Sequence, residues 1–404
     1  MRIVSLSKVI PFKGIPHAGG EYVRRHVDAL LSLGHTVTVL APNDGRNRAA
    51  LALNDLDFEV RLIGTSGWPR LTKFTDKFWT TIDPTNLAPR FRRAMKQDSL
   101  SRTMLEAADI VEVHWTETMS LLPVNLIVPK PLLFSQDVLG QREQRSLDAT
   151  PRCRIMRRAL GWLRVKRTGP GEHSKLSSAG MVIAFSEKDA GLVHQIVPQV
   201  SVEHIDPPLW DDSISAERVK REPRLARVIM VGAFKRPENN VGATWFLREV
   251  WPKIIESEPS AEFAIVGASP SAQLQAAAAD AANVTFTGYV DSVEPYYASA
   301  TVAVVPLLSG AGVKFKSLDA LLRGVPLVAT NIGAEGITDN RGGHPFSVHD
   351  DPAEFATAVI EILRGGVGVL GNGESQRWAQ AKYGTSQFKL RIESILQKFA
   401  GELS

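Results

Sequence analysis

Ser309–Thr330, SGAGVKFKSLDALLRGVPLVAT, follows directly on the apolar run Val302–Leu308. An unbroken apolar run of that length predicts a strand buried on both faces, as in a parallel sheet. Gly310 and Gly312 predict a turn out of this strand into a helix carrying Leu318, Leu321 and Leu322. Gly324 stops the helix, and Pro326 leads into a second strand, Leu327–Ala329. A glycine turn at a helix start leaves backbone N–H groups unpaired at the positive end of the helix dipole, where an anion is stabilised. Lys314 and Lys316 are expected to add two mobile cations there. Asp319, further along the helix, offers a carboxylate to the hydroxyls of a ribose. Phosphate donors followed by a ribose acceptor make a candidate nucleotide site. Two solvated lysines and a surface aspartate are the alternative.

The 404 residues allow two domains, each able to bury its own core. A hydrophobic content of 44% and a charged content of 22% place the chain among soluble globular proteins. The net charge of +4 admits a nucleotide sugar, an anionic lipid surface or a nucleic acid as partner. Cys153 is the only cysteine, which excludes a disulfide framework and a Cys-rich metal centre and fits a reducing compartment. MRIVSLSKVIPF reads as a first strand rather than a secretory leader. The most apolar longer segment, Leu121–Phe134, is broken by Asn125, Lys130 and three prolines, so no membrane span is expected.

Domains are expected at 1–205 and 227–375, with a linker over 206–226 and C-terminal helices over 376–404. In the first, Arg2–Leu6 and Thr36–Ala41 read as strands around a helix from Glu21 to Gly34 striped by Val23, Val27, Leu30 and Leu31. Gly14, Gly19 and Gly20 fall in the preceding loop, which is either a second anion-receptive turn or one needing glycine only for its shape. Asp55-Leu-Asp57 is read as solvated loop acid, not as a metal site. Gly67–Gln97, where Trp68, Phe74, Phe78 and Trp79 alternate with basic residues, is either a surface for an acceptor or a membrane or a loop-rich insertion with its own small apolar cluster. The strand DIVEVHW ends near His114, and PLLFSQD ends at Gln136-Asp137. Gln136 can hydrogen-bond a sugar hydroxyl but cannot act as a base, and Asp137 is either a site carboxylate or a helix cap.

From Arg142 to Lys175 ten Lys/Arg face three acids, an excess larger than the charge of the whole chain. With Met156, Leu160 and Leu163 at helical spacing, this is a basic amphipathic surface for an anionic lipid or acceptor, or else a solvated helix. No nucleic-acid motif accompanies the charge. Met181–Phe185 is expected to be the last strand of the first domain. In the second, Arg227–Val231, Phe263–Gly267 and Val284–Gly288 are strands, and a helix is expected from about Val241 to Glu256. Gly333-Ala-Glu335-Gly336 is a further glycine loop that puts Glu335 among the site residues. Gly366–Gly371 matches G-x-G-x-x-G but follows a helix rather than a strand, so it is discounted.

Asp319-Ala-Leu-Leu-Arg-Gly-Val-Pro resembles the donor-site signature of the family 4 retaining glycosyltransferases of the GT-B fold. That signature carries two glutamates separated by seven residues. Asp319 stands at the second, while Ala311 stands at the first and offers only backbone. GAFKRPENNVGATWFLREVWPKI and VIAFSEKDA also resemble this family, with Ala233 where an arginine is usual and Lys235 and Arg236 as the nearest cations. Gln136 falls where relatives often show a histidine. The resemblance covers nearly the whole chain and is strongest over Arg227–Ile337.

It implies an α/β GT-B architecture, two facing Rossmann-like doubly wound parallel-sheet domains with an interdomain cleft. The activity implied is transfer of a sugar, with retention, from a nucleotide-diphosphate sugar to an acceptor hydroxyl. Polysaccharide, glycolipid and glycosylated natural-product biosynthesis are the candidate pathways. Gln136, Asp137 and Lys314 are the expected catalytic residues. Gly19, Gly20, Arg236, Gly288, Tyr289, Gly310, Ala311, Gly312, Lys316 and Asp319 are expected at the donor. No metal and no cofactor beyond the donor is expected. The acceptor is an acceptor sugar, a lipid-linked sugar or a small-molecule glycoside, no nucleic acid is involved, and residues 142–175 can touch an anionic membrane. The expected location is cytoplasmic, or peripheral at the inner membrane face. Lys314→Ala is expected to lower turnover with little loss of stability. A non-catalytic nucleotide-sugar binder, an inverting GT-B enzyme or epimerase, and a nicotinamide-dependent dehydrogenase are the alternatives.

Overall fold

Short apolar runs such as Val302–Val305, Met181–Ala184 and Leu132–Ser135 become strands whose every residue is buried. The computed structural model describes residues 1–15, 17–65, 67–122, 130–150, 153–212, 226–339, 342–365 and 373–403. The chain divides into two units, Met1–Pro208 with Thr385–Ser404, and Leu209–Gly384.

In the first unit the order is β1 (Arg2–Leu6), α1 (Ala18–Ser32), β2 (Thr36–Pro42), α2 (Gly45–Leu53), β3 (Glu59–Ile63), α3 (Arg70–Ile82), α4 (Pro89–Gln97), α5 (Ser99–Glu106) and β4 (Ile110–His114). A 3₁₀ stretch (Thr116–Leu121) follows, then β5 (Leu132–Ser135), α6 (Leu139–Asp148), α7 (Ile155–Ser177), β6 (Met181–Ala184), α8 (Glu187–Ile196) and β7 (Ser201–His204). The seven strands lie in the order β3-β2-β1-β4-β5-β6-β7, all paired in parallel.

The second unit runs β8 (Arg227–Val231), α9 (Pro237–Trp245), α10 (Trp251–Ser257), β9 (Glu262–Val266), α11 (Ala272–Ala279), β10 (Val284–Gly288), α12 (Glu294–Ser299), β11 (Val302–Val305) and α13 (Phe315–Leu322). It closes with β12 (Leu327–Ala329), β13 (Ser347–Val348), α14 (Pro352–Leu363) and α15 (Glu374–Lys382). Its six strands are ordered β10-β9-β8-β11-β12-β13, again parallel. The last helix, α16 (Thr385–Leu403), belongs to the first unit. There Arg391 and Lys398 pair with Glu203, and Glu393 pairs with His35.

Parallel strands need helical crossovers, which cover both faces of each sheet and account for the apolar strands. In the second unit one core layer gathers Phe246, Trp251, Phe263 and Phe355, and the other gathers Ala303, Leu318, Leu322 and Ala329.

Several local expectations are corrected. Helix α1 begins at Ala18, because the ring Nδ1 of His17 accepts from the Gly20 N–H at 2.9 Å and caps it. Gly19 and Gly20 are therefore first-turn residues, not loop residues. A Cβ on Gly19 would lie 2.8 Å from the Trp115 ring, so glycine there serves close packing. The insertion at 67–97 is helical over most of its length, as α3 and α4. Met181–Phe185 is not the last strand of its sheet, since β7 pairs outside β6. The helix expected over Val241–Glu256 is interrupted by a π turn at Phe246–Val250, just before Pro252, which has no N–H to continue the regular ladder. Residues 213–225 of the expected linker and the Gly366–Gly371 run lie outside the described residues.

Candidate functional site

In an open parallel sheet a ligand crevice forms where the strand order reverses, beyond the carboxyl ends of two neighbouring strands. In the second unit that point lies between β8 and β11. The two loops that leave there are Gly232–Arg236, entering α9, and Pro306–Lys314, entering α13. They are tied together, since Lys316 Nζ donates to Asn239 Oδ1 and Asn239 Nδ2 donates to the Ala233 carbonyl at 2.8 Å. Two helix N-termini thus stand side by side. Neither Lys314 at the start of α13 nor Arg236 at the start of α9 caps its helix with its side chain. An anion is the natural partner for such a pair of helix starts.

The two lysines are not mobile, which corrects the sequence expectation. Lys314 is buried, its Nζ donating to the Gly312 carbonyl at 2.6 Å and to Glu335 Oε2 at 3.1 Å. Gly310 and Gly312, at φ 125° and 73°, give the loop the left-handed backbone that brings this carbonyl to the ammonium. Lys316 is half-buried, and desolvation lowers its pKa to about 8. Glu238 opposes that shift, while Arg236 and Lys314 add to it. Ala311 sits half-buried between the two glycines. Arg236 is half-exposed, 3.9 Å from Glu238. The carboxylate of Asp319 accepts from Arg323 Nη1 at 3.0 Å. Arg323 in turn binds Glu294 at 2.6 Å and lies over the Tyr297 ring. Gly288 ends the edge strand β10, two strands from β8, and the exposed Tyr289 follows it.

The first unit has its own reversal, between β1 and β4. Around it stand Lys8, His17, Trp115 and Glu117, none singled out by the sequence. Lys8 Nζ lies 4.3 Å from the Trp115 ring centre and 2.8 Å from Glu117 Oε1. The Trp115 backbone is at φ 70°, a strained conformation for a bulky residue, held here in a buried position. Gln136 reaches the same place, with Nε2 3.5 Å from the Gly19 carbonyl, so these two expected site residues do come together. Asp137 is not the cap of α6. Its carboxylate accepts from Arg142 at 2.9 Å, and Asp137 foremost raises the Arg142 pKa. The cap is Glu172, whose two oxygens accept from the N–H groups of Leu139 (2.6 Å) and Gly140 (2.8 Å). Glu172 is buried, and desolvation pushes its pKa up to about 7 against those two N–H donors.

Of the residues not anticipated, Asn239 and Glu172 carry no local signal, because each acts on a partner 30 or more positions away. Trp115 follows the strand the sequence identifies, but a positive φ cannot be read from residue type.

Residues 226–365 match the family model described as glycosyl transferases group 1. A curated protein of Klebsiella pneumoniae, "Uncharacterized 44.6 kDa protein in cps region", is 31% identical over 144 residues. That stretch is 34% of this chain and spans 37% of the Klebsiella protein's length. Among solved structures, sucrose-phosphate synthase from Thermosynechococcus elongatus superposes with a TM-score of 0.70 at 16% identity, covering 99% of each chain. HepE of Anabaena, solved in complex with UDP and glucose, superposes with a TM-score of 0.59 at 14% identity, covering 98% of this chain and all of the other. The chain has the GT-B fold.

Proposed function

We propose that this protein is a glycosyltransferase that moves a sugar from a nucleoside diphosphate to an acceptor hydroxyl with retention, without a metal ion. The observation that carries the proposal is the pair of joined helix starts at the β8/β11 reversal, with Lys314 and Lys316 fixed among them. The group 1 match spans this site, and a neighbour of the same fold was solved with UDP and glucose. The hard step is departure of a diphosphate as its negative charge develops. Fixed N–H groups and cations stabilise that charge without reorganising. In this reading Lys314 and Lys316 hold the diphosphate, Arg236 screens it from the mouth, and Asp319, oriented by Arg323, accepts from the ribose. The backbone of Gly310, Ala311 and Gly312 faces the phosphates, and Gly288 and Tyr289 meet the base. Gln136 and Asp137, with Gly19 and Gly20, are assigned to sugar and acceptor hydroxyls. Polysaccharide, glycolipid or glycosylated natural-product synthesis is the pathway class proposed.

A thermal-shift panel of nucleotide sugars, with NAD as control, tests this reading, followed by mass spectrometry of any donor consumed. A melting shift with at least one nucleotide sugar and donor turnover with an acceptor are expected. No shift across the panel would remove the assignment, and a shift without turnover at any acceptor would leave a binding protein.

Lys316 gives the site a pH signature. An ammonium titrating near 8 is charged at pH 7 and about nine-tenths neutral at pH 9. Binding of UDP, followed by calorimetry, is expected to weaken several-fold, up to about tenfold, between those pH values. Lys316→Arg, which stays charged, is expected to flatten the profile. Equal slopes in the two proteins would rule out Lys316 as the titrating cation.

We also propose a cytoplasmic location with peripheral membrane contact through residues 142–175. No helix among the described residues is long and apolar enough to cross a membrane. Helix α7 does expose Ile155, Met156 and Trp162 beside Arg154, Arg157 and Lys166, the mixture an anionic lipid surface binds. Co-flotation with anionic but not neutral vesicles is the expected outcome.

A further inference from the structure

Four polar side chains meet in the core of the first unit, and the assigned chemistry uses none of them. Ser5 on β1 and Glu112 on β4 are register partners. His114 follows two residues along β4, and His26 reaches in from α1. All four are fully buried. The ring Nε2 of His26 lies 3.0 Å from Glu112 Oε2, and His114 Nε2 lies 3.8 Å from the same oxygen. One ligand atom from each of these three residues lies within 4.8 Å of the others.

The contacts within this cluster leave much unmet. Glu112 Oε1, both ring nitrogens of His114 and Ser5 Oγ have no hydrogen-bond partner. Single buried polar atoms without a partner are rare in native proteins, and several in one place indicate a missing occupant. Two imidazoles and a carboxylate are the ligand types that hold zinc at about 2.0–2.2 Å, which sets neighbouring ligand atoms roughly 3.3–3.5 Å apart in a tetrahedron. The two separations from Glu112 bracket that spacing. The other nitrogen of His26, Nδ1, faces the Tyr22 hydroxyl at 3.5 Å, an outer partner of the kind that orients a metal-binding imidazole. Phe134 stacks on His114, with ring centres 4.8 Å apart, and Phe388 lies beside His26. This aromatic wall is the dry shell of a closed site.

We propose that His26, Glu112 and His114 bind one zinc ion, with the Ser5 hydroxyl or a trapped water in the fourth position. The site has no open coordination position for a reactant and is structural. It joins α1 to the end of β4, next to the strained backbone of Trp115, and so holds the loops at the β1/β4 reversal in place. No redox step and no turnover are involved.

The test uses the full chain without an affinity tag, purified from zinc-supplemented cells and analysed by elemental mass spectrometry. About one zinc per chain is expected to survive gel filtration. Protein refolded with chelator is expected to melt about 5 °C or more below protein refolded with zinc. Refolding with cobalt should give the visible bands of a tetrahedral site, and these should be lost in His114→Gln and Glu112→Gln. Should either variant fail to fold, the wild-type metal content and cobalt spectrum still decide. A folded wild-type chain that takes up no zinc or cobalt and melts at the same temperature with either treatment would overturn the proposal. So would full zinc retention in a folded His114→Gln variant.

Discussion

Lys314→Ala is expected to cut sugar transfer by about 100-fold or more, and to cost the second unit about 3 kcal/mol of stability. The first effect follows from removing a fixed cation where the diphosphate leaves. The second departs from the sequence expectation of little stability loss. Lys314 and Glu335 are both buried and 3.1 Å apart, so alanine would take from the buried Glu335 carboxylate the ammonium it pairs with. Breaking a buried pair from one side costs more than removing both partners. The double variant Lys314→Ala/Glu335→Gln should therefore recover much of the stability while turnover stays low. Steady-state turnover and thermal unfolding of the two variants separate the roles. Turnover within threefold of the parent in Lys314→Ala would eliminate Lys314 as the diphosphate cation. Unfolding equal to the parent would show that the buried pair contributes nothing.

The reason one of these effects was visible in the sequence and the other was not is general to this chain. Strand, glycine turn and helix repeat along it, and inner strands such as Leu132–Ser135, Met181–Ala184 and Val302–Val305 are short and wholly buried, so the two-sheet α/β class could be read directly. Lys314 could be placed at a helix start because the turn and the helix are contiguous with it. Its partner Glu335 could be placed on a loop after the next strand. Nothing in one dimension indicates that residues 21 apart are 3.1 Å apart in space. Helix α3 is not legible in the sequence for a different reason. Leu71, Phe74 and Phe78 do have helical spacing, but they lie on an exposed face, whereas a stripe is normally expected to mark a core. Gly19 and Gly20 misplaced the start of α1, because glycine usually marks a turn and here permits close approach to Trp115.

The buried cap of α6 illustrates the same limit and leads to the second large effect. Below pH 5 the first unit should be more stable than at pH 8 by about 3 kcal/mol through Glu172 alone. The carboxyl titrates near 7 in the fold against an ordinary value of 4.5, so the native state holds its proton more tightly than the unfolded chain does. Its contribution is complete below pH 4.5 and is lost as the pH rises through 7. Burial drives this, and the Leu139 and Gly140 N–H groups only partly offset it. Glu172→Gln cannot titrate, and its amide nitrogen, which donates and cannot accept, would face one of those two N–H groups. The variant should be less stable than the parent at pH 5 by about 1 kcal/mol, and equal or more stable at pH 8. Melting curves at the two pH values would then cross, and parallel curves would disprove the assignment. The cap also fixes the start of the helix that follows Gln136 and Asp137. The Leu139 and Gly140 N–H groups favour the ionised carboxylate, so ionisation of Glu172 should appear in hydrogen exchange as slower exchange of these two amides, relative to their intrinsic rates, above pH 7. That local signal would connect the stability change to the loop assigned to sugar recognition.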